Sequence, residues 1–285
     1  MNLTNPSANY QLLGKSLPHS LSPYIHKRLF EIKGKCDDYG LLECDENELS
    51  TAYDTLRKLN GYNITIPYKC DIIPFLSSLD ESASLYGAVN CVDNTENGAV
   101  GYNTDCDGFL LSVKSKGMPL DKKVLLIGCG GVGRMIAIEC AKHGADLTIA
   151  YIEQAADAAT KLKEDILSLF PNAAVTLTLT NEVAGSYDLL INGSPVGMYP
   201  HADACPVSDE LINNCAYCFD VIYNPVETEL VKKFKAQGKV ALGGAAMLVY
   251  QAVKAHEIWD GDFYTTEEVD AIISEVEAIV TESYK

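Results

Sequence analysis

The sequence contains no uninterrupted apolar run approaching the ~20 residues that span a bilayer, so its 47% hydrophobic content belongs to packed cores. Cations are sparse too: 22 Lys and Arg stand against 39 Asp and Glu, a formal charge of -17. Binding a phosphate backbone rests on clustered Lys and Arg, and this scarcity argues against a nucleic-acid partner. An anionic ligand must instead be held by local hydroxyls, amides and a few cations against the global field. The five His form no HExxH, and Cys215 and Cys218 make a single CxxC with no second pair to complete a zinc site. No metal is expected. Both cysteines lie in the strand-like "CAYCFDVIY", where packing explains them. The ten cysteines are scattered and "MNLTNPSANY" lacks a basic-then-apolar leader, which together predict reduced thiols in a soluble, cytoplasmic protein. No Pro-, Ser- or Gly-rich tract and no repeat interrupts the chain. At 285 residues it is about twice a usual domain of roughly 150, which predicts two domains.

Strands and helices alternate. "YQLLGKS", "DYGLLEC" and "YNITIP" read as strands, separated by "SPYIHKRLFEIKG", with Ser22 as helix cap and Pro23 in the first turn, and by the amphipathic "ENELSTAYDTLRKL". Two extended runs, "GAVNCVDN" and "GAVGYNTD", join through the turn-prone "TENG", and the helix "CDGFLLSVKSKG" leads into a second domain. There "KVLLI" runs into Gly128, Gly130 and Gly133, a GxGxxG at a strand-to-helix junction with Gly131 as a further cofactor-binding candidate inside it, and "DLTIAY" follows the helix. Glycines there permit a tight turn and close backbone approach to a pyrophosphate, and the helix start supplies amides and positive dipole. "YDLLINGSP", "YCFDVIY" and "KVALGG" add strands, and two helices close the chain. The expected fold is α/β with two domains: an N-terminal α/β substrate-binding domain over 1–105, completed by helices in 244–285, and a Rossmann-type doubly wound nucleotide-binding domain over 106–243.

In "GYNITIPYK", β-branched residues favour extended backbone and Pro67 cannot donate to a sheet ladder. Lys69 follows where the chain leaves the sheet, a position from which a cation can point into a crevice. A solvated surface lysine is the ordinary alternative.

The ordered set "SLSP", "NITIPYK", "GAVN", "GYNTD", "GCGGVGR", "NGSPVGM" and "GGAAMLVYQA" resembles the shikimate dehydrogenase family through nearly the whole chain. The resemblance implies reduction of 3-dehydroshikimate to shikimate with NADP or NAD, on the route to aromatic amino acids; some relatives also oxidise quinate. It implies that Lys69 and Asp105 are the catalytic pair, with Lys69 either proton donor or electrostatic stabiliser. Ser20 and Ser22 match the pair that binds the substrate carboxylate, and Thr65, Asn90, Tyr223 and Gln251 match further substrate contacts, for each of which a structural hydrogen bond is the alternative. Gly244 matches a glycine beside the nicotinamide, and Asn192, Ser194, Pro195 and Met198 a segment beneath it. The implied partner is a small molecule, with the protein a monomer or homodimer.

One departure stands out. Where NADP-using members carry an arginine after the second strand of the nucleotide domain, this chain has "AYIEQAADAA", with Tyr151, Ile152 and Glu153. An acidic group about 20 residues beyond the glycines bonds a ribose diol and repels a 2'-phosphate. The pattern leans toward NAD; Glu153 as a plain surface residue, or Arg134 reaching the phosphate, would leave NADP open. Three functions remain: shikimate dehydrogenase, an NAD-dependent quinate/shikimate dehydrogenase, and a non-catalytic metabolite sensor, against which the presence of both Lys69 and Asp105 speaks.

Overall fold

The computed structural model describes residues 9–283. The chain forms two compact units. The first ends at Gly108 and resumes over Val249–Val276; the second is Phe109–Leu248 and resumes at Glu277.

In the first unit the order is β1 (Tyr10–Gly14), α1 (Ser22–Ile32), β2 (Tyr39–Glu43), α2 (Leu49–Leu56), β3 (Gly61–Ile64), β4 (Ser78–Leu79), α3 (Glu81–Tyr86), β5 (Cys91–Thr95), β6 (Gly98–Tyr102) and α4 (Thr104–Ser115), along which the chain passes into the second unit. The strands make one six-stranded sheet in the order β2-β1-β3-β5-β6-β4. β1 is parallel to β2 and β3, while β5 is antiparallel to β3 and β6. It follows that the carboxyl ends of β1, β3 and β6 and the amino end of β5 share one edge. β1 is buried over its whole length, and Leu13, Leu42, Leu56, Tyr62 and Tyr68 form a core from which water is excluded. Each such side chain contributes about 1.5–3 kcal/mol of burial.

Two expectations shift here. The ladder of β3 ends at Ile64, so Ile66 and Pro67 belong to a turn, closed by the Tyr68 N–H donating to the Thr65 carbonyl at 3.1 Å. Ser22 is the first residue of α1, not its cap: Leu21 holds the cap position, and the Ser22 N–H donates to Ser20 Oγ at 3.3 Å.

In the second unit the order is β7 (Lys123–Ile127), α5 (Gly131–Lys142), β8 (Asp146–Tyr151), α6 (Ala156–Leu169), β9 (Ala174–Leu179), β10 (Tyr187–Asn192), α7 (Asp209–Asn213), β11 (Cys215–Asp220), α8 (Glu229–Ala236) and β12 (Val240–Leu242). All six strands are parallel, in the order β12-β11-β10-β7-β8-β9. That is the doubly wound arrangement, whose order reverses between β7 and β10 and so opens a crevice at their carboxyl ends. The motifs do not mark α6 or β9. α6 buries Ala159, Leu162 and Ile166 along one face, and β9 is a half-buried edge strand. Cys215 and Cys218 are free thiols in the core that includes Leu190 and Phe234.

The chain ends in α9 (Ala245–Asp260) and α10 (Thr266–Ser283); among the described residues no helix is long and apolar enough to cross a membrane. From α9, Trp259 Nε1 donates to the Val92 carbonyl at 2.9 Å, and His256 Nε2 lies 3.0 Å from Nδ1 of His26 in α1. Tyr264 Oη lies 2.9 Å from the other His256 ring nitrogen, and His26 stacks on Tyr39 with ring centres 3.9 Å apart. Both imidazoles are fully buried. Burial pushes His256 down to about 3 and holds His26 well below its ordinary range. Each is therefore neutral in the fold but takes a proton near pH 6.5 when unfolded; the unfolded state binds more protons below that pH, and their contribution to stability falls with it. Lowering the pH from 7 to 5 is expected to reduce the thermal midpoint more in the wild type than in His26→Phe, which keeps the ring stack. Equal shifts in melts of the two proteins would contradict this origin.

Candidate active site

Lys69 and Asp105 sit at the shared edge of the first sheet. The turn after β3 carries Lys69, and its backbone is fixed on two sides: the Lys69 carbonyl accepts from the Val89 N–H at 2.7 Å, and the preceding Tyr68, wholly buried, donates its hydroxyl to the Cys44 carbonyl. Asp105 lies in the first turn of α4, just beyond β6. Lys69 Nζ is 2.6 Å from Asp105 Oδ2, and the two side chains are 25% and 19% exposed. The pair is sheltered yet reachable, so a ligand oxygen can approach both groups.

Asn90 ties this edge together. Its carbonyl accepts from the Ile64 N–H at 2.9 Å, and its own N–H donates to the Tyr102 carbonyl at 3.0 Å. Its side-chain Oδ1 accepts from the Thr104 N–H at 2.6 Å, which anchors the start of α4 immediately before Asp105, while Nδ2 donates to Thr104 Oγ1 at 3.0 Å and to Gln251 Oε1 at 3.4 Å. Asn90, Thr104 and Gln251 are all buried. Thr104 escapes the motif reading, although its place between Asn103 and Asp105 at a helix start was a usable signal. Thr65, half-buried, donates its N–H to Leu13 at the end of β1 at 2.9 Å. Ser20 and Ser22 lie beyond the carboxyl end of β1, where α1 begins. Six of the residues expected in the site thus converge on one edge, with Gln251 bonded to them from α9. Asp107, two residues past Asp105, is pushed up to about 6 by burial, opposed by the charge of Lys254.

Tyr223 and Gly244 belong to the second unit, beyond the ends of β11 and β12. Gly244 is required by the chain's own backbone: a Cβ there would run into the Val221 carbonyl oxygen.

The glycine turn after β7 is built by close backbone approach. Gly128 has φ +96°, and a Cβ on it would lie 3.1 Å from the Gly193 carbonyl and the Ser194 nitrogen. A Cβ on Gly133 would strike the Gly128 carbonyl oxygen, whereas Gly130 and Gly131, at the start of α5, face open space. An open cradle of backbone at a helix start is what a pyrophosphate needs, so these residues fit a dinucleotide. Gly193 is the glycine that motif reading passes over; its N–H donates to the Ile127 carbonyl at 2.8 Å. Below it, buried Asn192 donates to Asp220 Oδ1 at 3.1 Å and accepts from Ser194 Oγ at 2.7 Å. Asp220 also accepts from Thr228 at 2.7 Å; burial pushes its carboxyl up to about 6 against the pull of these hydrogen bonds. At the ends of β8 and β9 a cleft of about 520 Å³ is lined by Tyr151, Ile152 and Glu153, and no Lys, Arg or His lines it. Arg134, one turn into α5, is paired with Asp165 at 2.7 Å.

Gly133→Ala is expected to destabilise the protein by about 1–3 kcal/mol through overpacking, and Gly130→Ala by much less. Urea unfolding of the two variants measures this; equal losses would contradict the packing described.

Comparison with known proteins identifies the family and the fold. A model of the shikimate dehydrogenase substrate binding domain matches residues 12–92. Shikimate dehydrogenase (NADP(+)) of Nitrosopumilus maritimus is 36% identical over 259 residues, covering 88% of this chain and 93% of its own. Among solved structures, shikimate 5-dehydrogenase of Thermus thermophilus, in complex with NADP(H) and shikimate, is similar with a TM-score of 0.82 at 26% identity over 94% of this chain and 98% of that one. Quinate dehydrogenase of Corynebacterium glutamicum, in complex with NAD, is similar with a TM-score of 0.83 at 29% identity over 93% and 98%. The fold is α/β, an N-terminal α/β substrate domain with a Rossmann-type doubly wound nucleotide-binding domain, as expected from the sequence. Identity of this extent over most of both chains places the protein by descent as well as by shape: it belongs to the shikimate dehydrogenase family.

Proposed function

We propose that this protein is a shikimate dehydrogenase that interconverts 3-dehydroshikimate and shikimate and prefers NAD to NADP. The observation that carries the reaction is the Lys69–Asp105 pair, 2.6 Å apart on the sheet edge that also gathers Ser20, Ser22, Thr65 and Asn90. A nicotinamide dinucleotide, when bound, supplies or accepts the hydride, and Gly128, Gly130, Gly131 and Gly133 are the residues that would hold its pyrophosphate. The chain's own residues handle substrate and proton. The Ser20 and Ser22 hydroxyls, beside the positive end of α1, suit the substrate carboxylate. Asn90, Thr65 and Gln251 offer polar groups to the ring hydroxyls. As the C3 carbonyl is reduced, its oxygen gains negative charge, which the Lys69 ammonium offsets by donating a hydrogen bond and then a proton. Asp105 orients Lys69 through their 2.6 Å hydrogen bond and accepts a hydrogen bond from the adjacent hydroxyl. In the oxidative direction Lys69 takes the proton back.

The coenzyme preference rests on Glu153, exposed directly beyond β8, and on the absence of cations around its cleft. A carboxylate there accepts hydrogen bonds from a ribose diol and repels a 2'-phosphate. Ten free thiols support a reducing, cytoplasmic setting.

Lys69→Ala is expected to lower turnover by about 10²- to 10⁴-fold while leaving shikimate affinity mostly intact; near-normal turnover would remove Lys69 from the reaction. Steady-state oxidation of shikimate and quinate, each with NAD and with NADP, is expected to be most efficient for shikimate with NAD. Equal efficiency with NADP would overturn the coenzyme preference, higher efficiency on quinate would make quinate the substrate, and silence in every mixture would overturn the enzymatic reading.

A further inference from the structure

We infer that Asp165 is a positioning residue for coenzyme choice: by holding Arg134 it withdraws a guanidinium that would otherwise serve a 2'-phosphate. The inference rests on the reading of the second unit as a dinucleotide site that prefers NAD.

The helices set the geometry. α5 and α6 both begin at the carboxyl edge of the second sheet, after β7 and β8 respectively. Arg134 is one turn into α5 and directly follows Gly133, so its backbone stands close to the glycine turn and to the edge where Glu153 lies. Its guanidinium does not turn to that edge. Arg134 Nη1 lies 2.7 Å from Asp165 Oδ2, and Asp165 is nine residues beyond the start of α6, about 13 Å down its axis at 1.5 Å per residue. The other carboxylate oxygen accepts from Lys161 Nζ at 3.1 Å, one turn back toward the helix start. Hydrogen bonds from Lys161 and then Arg134 hold the Asp165 carboxyl below its usual range, so it stays charged at neutral pH. The Arg134 and Asp165 side chains are 33% and 27% exposed, which leaves the guanidinium free to swing if its partner is removed.

A carboxylate and a phosphate monoester compete for the same forked donor set of an arginine. Asp165 is therefore an internal rival of the 2'-phosphate that distinguishes NADP from NAD, and NAD, lacking that group, does not enter the competition. Glu153 repels the phosphate at the cleft, while Asp165 keeps the one nearby α5 cation from compensating. The two carboxylates act on the same discrimination from opposite sides.

The test is equilibrium binding of NADH and NADPH, read from their fluorescence, to the full-length wild type, Asp165→Ala, Arg134→Ala and the double variant. Asp165→Ala is expected to tighten NADPH by about 5-fold, the scale of one partly exposed ion pair, with NADH unchanged. Arg134→Ala in the wild-type background is expected to change neither affinity, and in the Asp165→Ala background to abolish the gain. A wild type that binds NADPH more tightly than NADH, or binds neither, would overturn the coenzyme reading and this inference together. A wild type that prefers NADH, with an NADPH/NADH ratio unmoved by Asp165→Ala or with both affinities falling in parallel, would overturn the inference alone and leave Asp165 a helix-packing residue. Should Asp165→Ala fail to fold, weakened NADPH binding in Arg134→Ala would by itself contradict the inference, because it would show Arg134 already serving the phosphate; unchanged NADPH binding would support it.

Discussion

The amide of Asn90 is the constraint on which the first unit's site depends. Lys69 and Asp105 are 36 residues apart in sequence, one in a turn after β3 and the other at the start of α4, and neither segment fixes the other. Asn90 meets both: its backbone joins β3 to β6, and its side chain holds the first N–H of α4 at Thr104. A buried amide with both side-chain atoms engaged is stiff because any displacement leaves a polar group unpaired. That stiffness places a carboxylate and an ammonium at hydrogen-bond distance without burying either completely, the arrangement the proposed proton transfer needs.

A different physics organises the second unit. Its ligand edge is made by backbone packed on backbone, with Gly128, Gly133 and Gly193 meeting where side chains would collide. A buried polar triad of Asn192, Asp220 and Thr228 fixes the adjoining strand ends. Close packing at the glycines leaves the amides at the start of α5 open, and the parallel strand order puts that opening at the reversal point of the sheet. Around that edge the proposed coenzyme preference rests on charge, with Glu153 in a cleft without cations and Arg134 paired with Asp165.

Much of this was legible in the sequence. That the chain leaves the sheet before Lys69 could be read from the proline ahead of it, although β3 ends earlier, at Ile64, and the glycine turn could be read because a strand and a helix flank it. The two-domain α/β fold follows from alternating periodicities. What was not legible depends on partners distant in sequence. Ser22 reads as a helix cap by type and position, yet the helix begins at Ser22 itself, and only the folded loop shows Ser20 accepting its N–H. Gly244 reads as a cofactor glycine, while the steric demand comes from Val221. The His26–His256 pair joins residues 230 positions apart, and no local pattern announces it. β9 and α6 carry no motif, so only their packing reveals them.

The most direct test of the central claim, that Lys69 and Asp105 act as one proton-handling unit, is a double-mutant cycle on kcat for shikimate oxidation with Lys69→Ala, Asp105→Asn and both together. Groups that act as a unit are strongly non-additive. The account expects the double variant to be about as slow as the slower single variant. Losses that multiply, so that the double variant falls by the product of the two single effects, would mean the residues work independently and would contradict it.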